Sequence, residues 1–407
     1  MNKLFYCCTL LLSLALFGCQ KEVIDDNPDN EFRPISLDTR QDACNEATKS
    51  FSFSLLKEFE TGFPGGSYCF SPLSAEFALG LIAEGSKGDT RKQILDALGV
   101  NNPEDLSSYA GVMLDKLPSI DKNSKIGLAD LALFDTKVSL EKGYVNRIEN
   151  SYKALVKSMD FNSPKTTSYV NDWASKNTSG TIKNLLDDKE LAGQQFFLAN
   201  ALYFKGEWSS PFKKTLKDSF YLDGGKEIKV DMMETSVRPC AFFDSFSAMM
   251  LQYGNGAYMM LVILPNKGLS LSGIVDDLEE QMADPRIFER FGPSGTVRMP
   301  KFKALYEYDL TAALMNLGIS DVFDPSVADL GGMSGVKPLC VSGIKQKAFI
   351  EVDEKGTEAA AVTSTSLSTA SFVPYYGQDF IVDRPFFYII EESSTGAILF
   401  MGKYAGE

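Results

Sequence analysis

The side chains here that could do chemistry are carboxylates, lysines, hydroxyls and seven cysteines, without one histidine in 407 residues. A Ser-His-Asp triad or a Cys-His pair needs an imidazole that titrates near neutrality, so neither can be built. Sites of the HExxH, three-histidine zinc and histidine-carboxylate iron types are excluded with them. Carboxylate-pair hydrolysis and Ser-Lys dyads pass this filter. Yet the chain has no nucleophile elbow, no glycine-rich phosphate loop and no metal-ligand spacing. Glu391-Glu392 follows a strand and reads as the solvated end of a hairpin. No cofactor is expected, and the net charge of −14 argues against nucleic acid, which requires clustered Lys and Arg.

The cysteines divide by position. In MNKLFYCCTLLLSLALFGCQKE a single Lys3 precedes an apolar run, Leu4 to Phe17, too short and too N-terminal for a stable membrane span. It reads as the core of a signal peptide. Leu16-Phe17-Gly18-Cys19 resembles a bacterial lipobox, which implies a signal peptide over residues 1–18 and lipidation of Cys19. The protein would then be exported and anchored by lipid alone to an outer membrane or cell surface. The other reading is an ordinary signal peptide with an incidental cysteine. Cys44, Cys69, Cys240 and Cys340 fit no metal motif; they allow three full disulfide pairings or a set of free buried thiols.

One further stretch stands apart, Glu354 to Ser371, reading EKGTEAAAVTSTSLSTAS. By composition it is a solvated linker, helix-prone around Glu358-Ala359-Ala360-Ala361. Its alternation permits something more. Thr357, Ala359, Ala361, Thr363 and Thr365 are all small and uncharged, while Glu358, Ala360, Val362, Ser364 and Ser366 tolerate water. No proline occurs before Pro374. Such a segment can live as a loop and also fill a strand with one face packed on a core. Gly356 supplies freedom where the backbone would have to turn.

The elements that must position these residues begin after an acidic, polar tether over residues 19–42. A helix is expected from Ala43 to about Phe59, a second opened by Ser71-Pro72, and a third capped by Asp89 and closed by Gly99. A fourth lies near Tyr169 to Asn177. Phe196 to Phe204 is almost continuously apolar, as in a strand buried on both faces. Ala257–Leu264, Val297–Phe302 and Ala348–Val352 are further strands, and Phe386–Glu391 and Ile398–Met401 form a hairpin. With no linker or repeat after residue 42, residues 43–407 read as one α+β domain.

At this point the residues resemble the serpin family of serine protease inhibitors. The resemblance lies in Phe70-Ser71-Pro72-Leu73-Ser74, Glu84 to Thr90, Asn200 to Trp208, and Met299-Pro300-Lys301-Phe302. It continues through Asp353 to Ala361, Asp383-Arg384-Pro385-Phe386 and Leu399 to Lys403 in the family's order. It implies three β-sheets, eight or nine helices, a metastable native state and an exposed reactive-centre loop. It also implies a monomeric inhibitor, not an enzyme, that traps a protease by inserting this loop into the main sheet. Glu354, Gly356, Thr357, Glu358, Ala359, Ala360 and Ala361 would be the hinge. The family's hinge length sets the reactive bond at Ala370-Ser371, bait for elastase-like proteases. The stretch from Ala370 to Pro385 is about four residues longer than the family pattern, and Phe372, Tyr375 and Tyr376 are alternative bait for chymotrypsin-like proteases. Papain-like cysteine proteases are a further class of target. Ser71, Ser74, Asn200 and Gln346 would lie where the sheet opens, with Gln346 in a place often held by histidine and bridging Ser71 and Asn200. Trp208, and Lys301 paired with Glu354, would mark the top of the sheet. The competing reading is a non-inhibitory member acting as a surface binding or chaperone-like protein.

Overall fold

The computed structural model describes residues 30–187, 190–357 and 377–406. Cys19, Glu358 to Ala361, Ala370, Ser371, Phe372, Tyr375 and Tyr376 lie outside the described residues. Eight α-helices occur among those described: α1 Thr39–Gly62, α2 Pro72–Gly85, α3 Gly88–Leu98, α4 Pro103–Lys116, α5 Lys142–Ser151, α6 Pro164–Asn177, α7 Val275–Ala283 and α8 Thr311–Asn316.

Strands numbered along the chain form three sheets. The first has seven: β1 Tyr68–Phe70, β7 Pro239–Phe242, β8 Phe246–Tyr253, β9 Tyr258–Pro265, β10 Gly292–Pro293, β16 Phe386–Glu392 and β17 Ile398–Tyr404. A four-stranded sheet holds β5 Lys214–Tyr221, β6 Glu227–Ser236, β11 Thr296–Pro300 and β15 Phe380–Ile381. The main sheet, in the order β12-β13-β14-β4-β2-β3, contains β2 Ser124–Asp135, β3 Leu155–Met159 and β4 Phe196–Glu207. Its remaining members are β12 Phe302–Asp309, β13 Ile344–Val352 and the two-residue β14 Gly356–Thr357.

The apolar run of β4 is buried on both faces, as its sequence requires. Phe196, Leu198, Leu202 and Phe204 enter the principal core, with Phe196 stacked on Phe134 of β2 at 4.3 Å between ring centroids. Phe197, Ala199 and Ala201 point the other way, into a smaller core roofed by Val170, Trp173 and Ala174 of α6. Helix α2 is buried along its whole length. It starts as its sequence dictates, with Pro72 in the first turn and the Ser71 hydroxyl accepting the Ser74 N–H at 3.2 Å.

Several expectations need correction. The first helix starts at Thr39, not Ala43, because Asp38 and Gln41 form a capping box. Asn30 is buried and donates to Asp121 at 3.0 Å, and Ile35 is buried, so packed chain extends well into the expected tether. Lys87, not Asp89, occupies the N-cap of α3; Asp89 sits in its first turn, where a negative charge suits the helix dipole. Val297–Phe302 is two strands in two sheets, parted at Lys301, whose N–H bonds to Asp231. The four described cysteines, Cys44, Cys69, Cys240 and Cys340, are free thiols, the first three buried, and burial pushes those three up to about 12. Among the described residues no helix is long and apolar enough to cross a membrane, and no three metal-ligating groups converge.

Glu391-Glu392 is not a solvated hairpin end; both residues are fully buried. Glu392 accepts from the N–H and hydroxyl groups of Ser394 and Thr395 and so holds the turn. Glu391 Oε1 has no partner. Burial raises Glu391 and Asp130 to about 7 and Glu76 to about 8. An acid whose pKa is higher folded than unfolded binds more protons in the native state between the two values. Stability from these three groups therefore falls as pH rises from about 4 to about 8. Thermal unfolding should occur at a higher temperature at pH 5 than at pH 8. Glu391→Gln should reduce that difference, chiefly by raising the midpoint at pH 8; an unchanged difference would refute the assignment.

Candidate functional site

The main sheet is closed along one part of its centre and parted along the rest. From Ile344 to Phe349, β13 pairs in parallel with β4 from Leu198 to Tyr203. Beyond Phe349 the two strands separate, and Gly356-Thr357 occupies the gap as β14. Thr357 lies opposite Val352 on one side and Gly206 on the other, and Gly356 opposite Glu207. The wedge requires glycine. Gly356 has φ +156°, and a Cβ there would fall 2.1 Å from the Gly206 carbonyl oxygen.

The chain reaches that wedge through a turn bonded at nearly every residue. The Asp353 carboxylate accepts the N–H groups of Lys355 and Gly356 at 2.7 and 3.2 Å. Trp208, at the end of β4, donates its indole N–H to the Asp353 carbonyl at 2.9 Å and its backbone N–H to that of Lys355 at 2.7 Å. Phe212 donates to the Glu354 carbonyl at 2.8 Å. Lys301 pairs with Glu354 at 2.5 Å, and the Thr215 hydroxyl donates to the same carboxylate. Burial alone would raise the Glu354 carboxyl, but Lys301 and Thr215 outweigh it and hold the group below its ordinary value. Both charges are about one-third exposed, so the pair orients the turn more than it stabilises it. Thr357 is fully buried, its hydroxyl 2.6 Å from that of Tyr253, which stacks on Trp208.

A second cluster lies where β4 and β13 are joined. Gln346 is buried, accepting the Ser71 N–H at 2.7 Å and donating to the Ser71 carbonyl at 2.9 Å. Asn200 is its neighbour in register but is not its partner in hydrogen bonding. Asn200 instead accepts the Ser74 hydroxyl and donates to Asp130 on β2 at 2.7 Å. The expected bridge by Gln346 between Ser71 and Asn200 is thus two separate ties, one from each strand, to the same first turn of α2. The amide can do this because it carries a donor and an acceptor side by side.

Glu354, Gly356, Thr357, Trp208 and Lys301 therefore come together at the parted part of the sheet, and Ser71, Ser74, Asn200 and Gln346 at the joined part. Asp130, Thr215 and Tyr253 were not anticipated, and Asp353 had entered only as part of the stretch Asp353 to Ala361. Only Asp130 carried a signal, a single charge inside the apolar run Leu128 to Phe134. Replacing Gln346 by Ala would orphan the buried Ser71 N–H, while the Ser71 carbonyl keeps the Ala75 N–H, a loss of about 1–3 kcal/mol. Gln346→Ala should lower the unfolding midpoint in urea; an unchanged midpoint would show that the amide bears no load.

With this geometry established, three comparisons place the chain. A model of the Serpin family (serine protease inhibitor) matches residues 46–406. Serpin-ZXA of Oryza sativa subsp. japonica is 33% identical over 363 residues, covering 84% of this chain and 90% of the relative. Serpin B11 of Homo sapiens is 30% identical over 394 residues, covering 89% and 99%. The crystal structure of the thermophilic serpin tengpin in the native state superposes with a TM-score of 0.83 at 28% identity, over 95% of this chain and 99% of that one. Members of this family are generally inhibitors that act on target proteases, and not catalysts. With three sheets, eight described helices and a family match across all but its N-terminal part, this chain belongs to the serpin family.

Proposed function

We propose that this protein is a suicide-substrate inhibitor of serine endopeptidases, elastase-like first and chymotrypsin-like second, that traps the acyl-enzyme by inserting its loop into the main sheet. The observation that carries the reading is the register at Thr357, already seated between Val352 and Gly206 with its side chain in the core. If the following residues continued that register, Ala359 would lie between Ile350 and Phe204, and Ala361 between Ala348 and Leu202. Thr363 would lie between Gln346 and Asn200, and Thr365 between Ile344 and Leu198. Every flanking residue in this series is buried, so the inward positions must be small, and they are.

In this mechanism the protease nucleophile attacks the Ala370 carbonyl, forming an ester and releasing the amine of Ser371. Residues 358–370 number about 13, close to the 12 residues of β4, so the freed segment is long enough to complete a central strand. Cleavage at Phe372, Tyr375 or Tyr376 would leave a longer tether and a looser trap. No Arg or Lys occurs between Glu358 and Asp383, which argues against trypsin-like targets. An ester trap also suits papain-like enzymes, whose acyl intermediates are thioesters. Insertion must break the pairing from Ile344 to Phe349, and Gln346 and Asn200 are the side chains that resist it. The resemblance of Leu16 to Cys19 to a lipobox supports action from a bacterial outer membrane or cell surface.

A chain starting at Gln20, mixed with pancreatic elastase or chymotrypsin, should form a complex that survives boiling in SDS. The N-terminus of the released peptide should be Ser371 with elastase. Cleavage without a complex by either enzyme would refute inhibition by trapping. Thr363→Arg would force a buried charge between Gln346 and Asn200, so it should be cleaved at the same bond yet form little or no complex.

A further inference from the structure

A pocket of about 560 Å³ opens beside Trp208, lined by the end of β6, the start of β7, β8 and β10. Arg238 lies in its wall with only 9% of its surface exposed. Its guanidinium donates to the carbonyls of Val237 at 3.0 Å, Ser210 at 2.6 Å and Pro211 at 3.4 Å, and lies over the Phe212 ring. Among the described residues its hydrogen-bond partners are carbonyls and no carboxylate, and burial weakens its hold on its proton. Neutral carbonyls do not offset a buried positive charge, which is ordinarily paired.

A second unpaired group lies in the same lining. Thr235 is 4% exposed, lines the pocket, and its hydroxyl has no hydrogen-bond partner. Buried hydroxyls are almost always satisfied, and one left open beside an uncompensated cation suits an acceptor from outside the chain. Lys213 adds positive charge to the lining, where its ammonium donates to the Ser236 hydroxyl at 3.4 Å. Opposite this polar corner the walls are apolar, formed by Trp208, Met250 and Phe291. The volume is that of a pocket for a drug-sized molecule.

We propose that this pocket binds a small amphipathic carboxylate, with the acid group on Arg238 and the Thr235 hydroxyl and the apolar body against Trp208, Met250 and Phe291. A carboxylate supplies the charge that Arg238 lacks and accepts hydrogen bonds in the planar geometry that a guanidinium presents. A bare inorganic anion would use the polar corner and leave the apolar wall uncovered. Among the described residues the pocket shares Trp208 with the turn from Asp353 to Gly356.

Calorimetric titration of the chain starting at Gln20 tests this with three probes: 2-naphthoate, its neutral analogue 2-naphthamide, and inorganic phosphate. Naphthoate should bind, with naphthamide and phosphate each about tenfold weaker or worse. Thr235→Val is nearly isosteric and removes a hydroxyl that bonds to nothing, so it should leave the fold intact while weakening naphthoate about fivefold. Arg238→Gln should weaken it further. Equal affinity for naphthoate and naphthamide, no naphthoate binding at millimolar concentration, or undiminished binding by folded Thr235→Val would each overturn the proposal.

Discussion

The contact on which the rest of this molecule depends is the parallel pairing of β13 with β4 from Ile344 to Phe349. It joins the two halves of the main sheet, and only there do the two strands touch. Above it, Gly356 and Thr357 hold the strands apart. The sheet therefore carries its own wedge, seated at one end of a seam that is otherwise closed. Each side of the seam is tied to the first turn of α2, by Gln346 to Ser71 and by Asn200 to Ser74. Because α2 is buried throughout, those ties reach into the principal core, and the strands cannot separate there without disturbing polar groups that water does not reach.

The interior buries several acids at a cost, and one of them adjoins the seam. Asp130, Glu76 and Glu391 are desolvated carboxyls held well above their ordinary values, and Asp130 adjoins the seam through Asn200. A histidine-free chain thus still places a carboxyl raised to about 7 beside the strands of the seam. At the other end, the turn from Asp353 to Gly356 is closed by Trp208 and Phe212 after β4, Lys301 between β11 and β12, and Thr215 of β5. The same segment after β4 carries the carbonyls held by Arg238. The wedge, its turn and the adjoining pocket are thus parts of one packed corner.

Much of the architecture was readable because local pattern and tertiary role agreed. The apolar run of β4, the Ser71-Pro72 start of α2 and the Phe386–Tyr404 hairpin all appear where expected, somewhat longer than drawn. Two strands that went unrecognised, β5 and β6, are half-exposed and rich in charge, so their pairing partners rather than their own composition make them strands. Glu391-Glu392 was misread for the reverse reason. Two adjacent carboxylates look solvated in sequence, yet both are buried, one as the cap of its own hairpin turn.

By itself the sequence determined the chemistry that is absent and the alternation of small residues from Thr357 onward. Both are properties of residue type and order, requiring no knowledge of what lies nearby. It also determined that Gly356 must stand where the backbone turns. The tertiary structure decided which residues flank that segment, because register is a relation between strands far apart in the chain. It decided that Gln346 grips Ser71 and leaves Asn200 to Ser74 and Asp130. It decided, too, that Arg238 is buried without a carboxylate and Thr235 without a partner, since burial and pairing belong to the packed molecule and not to any one residue.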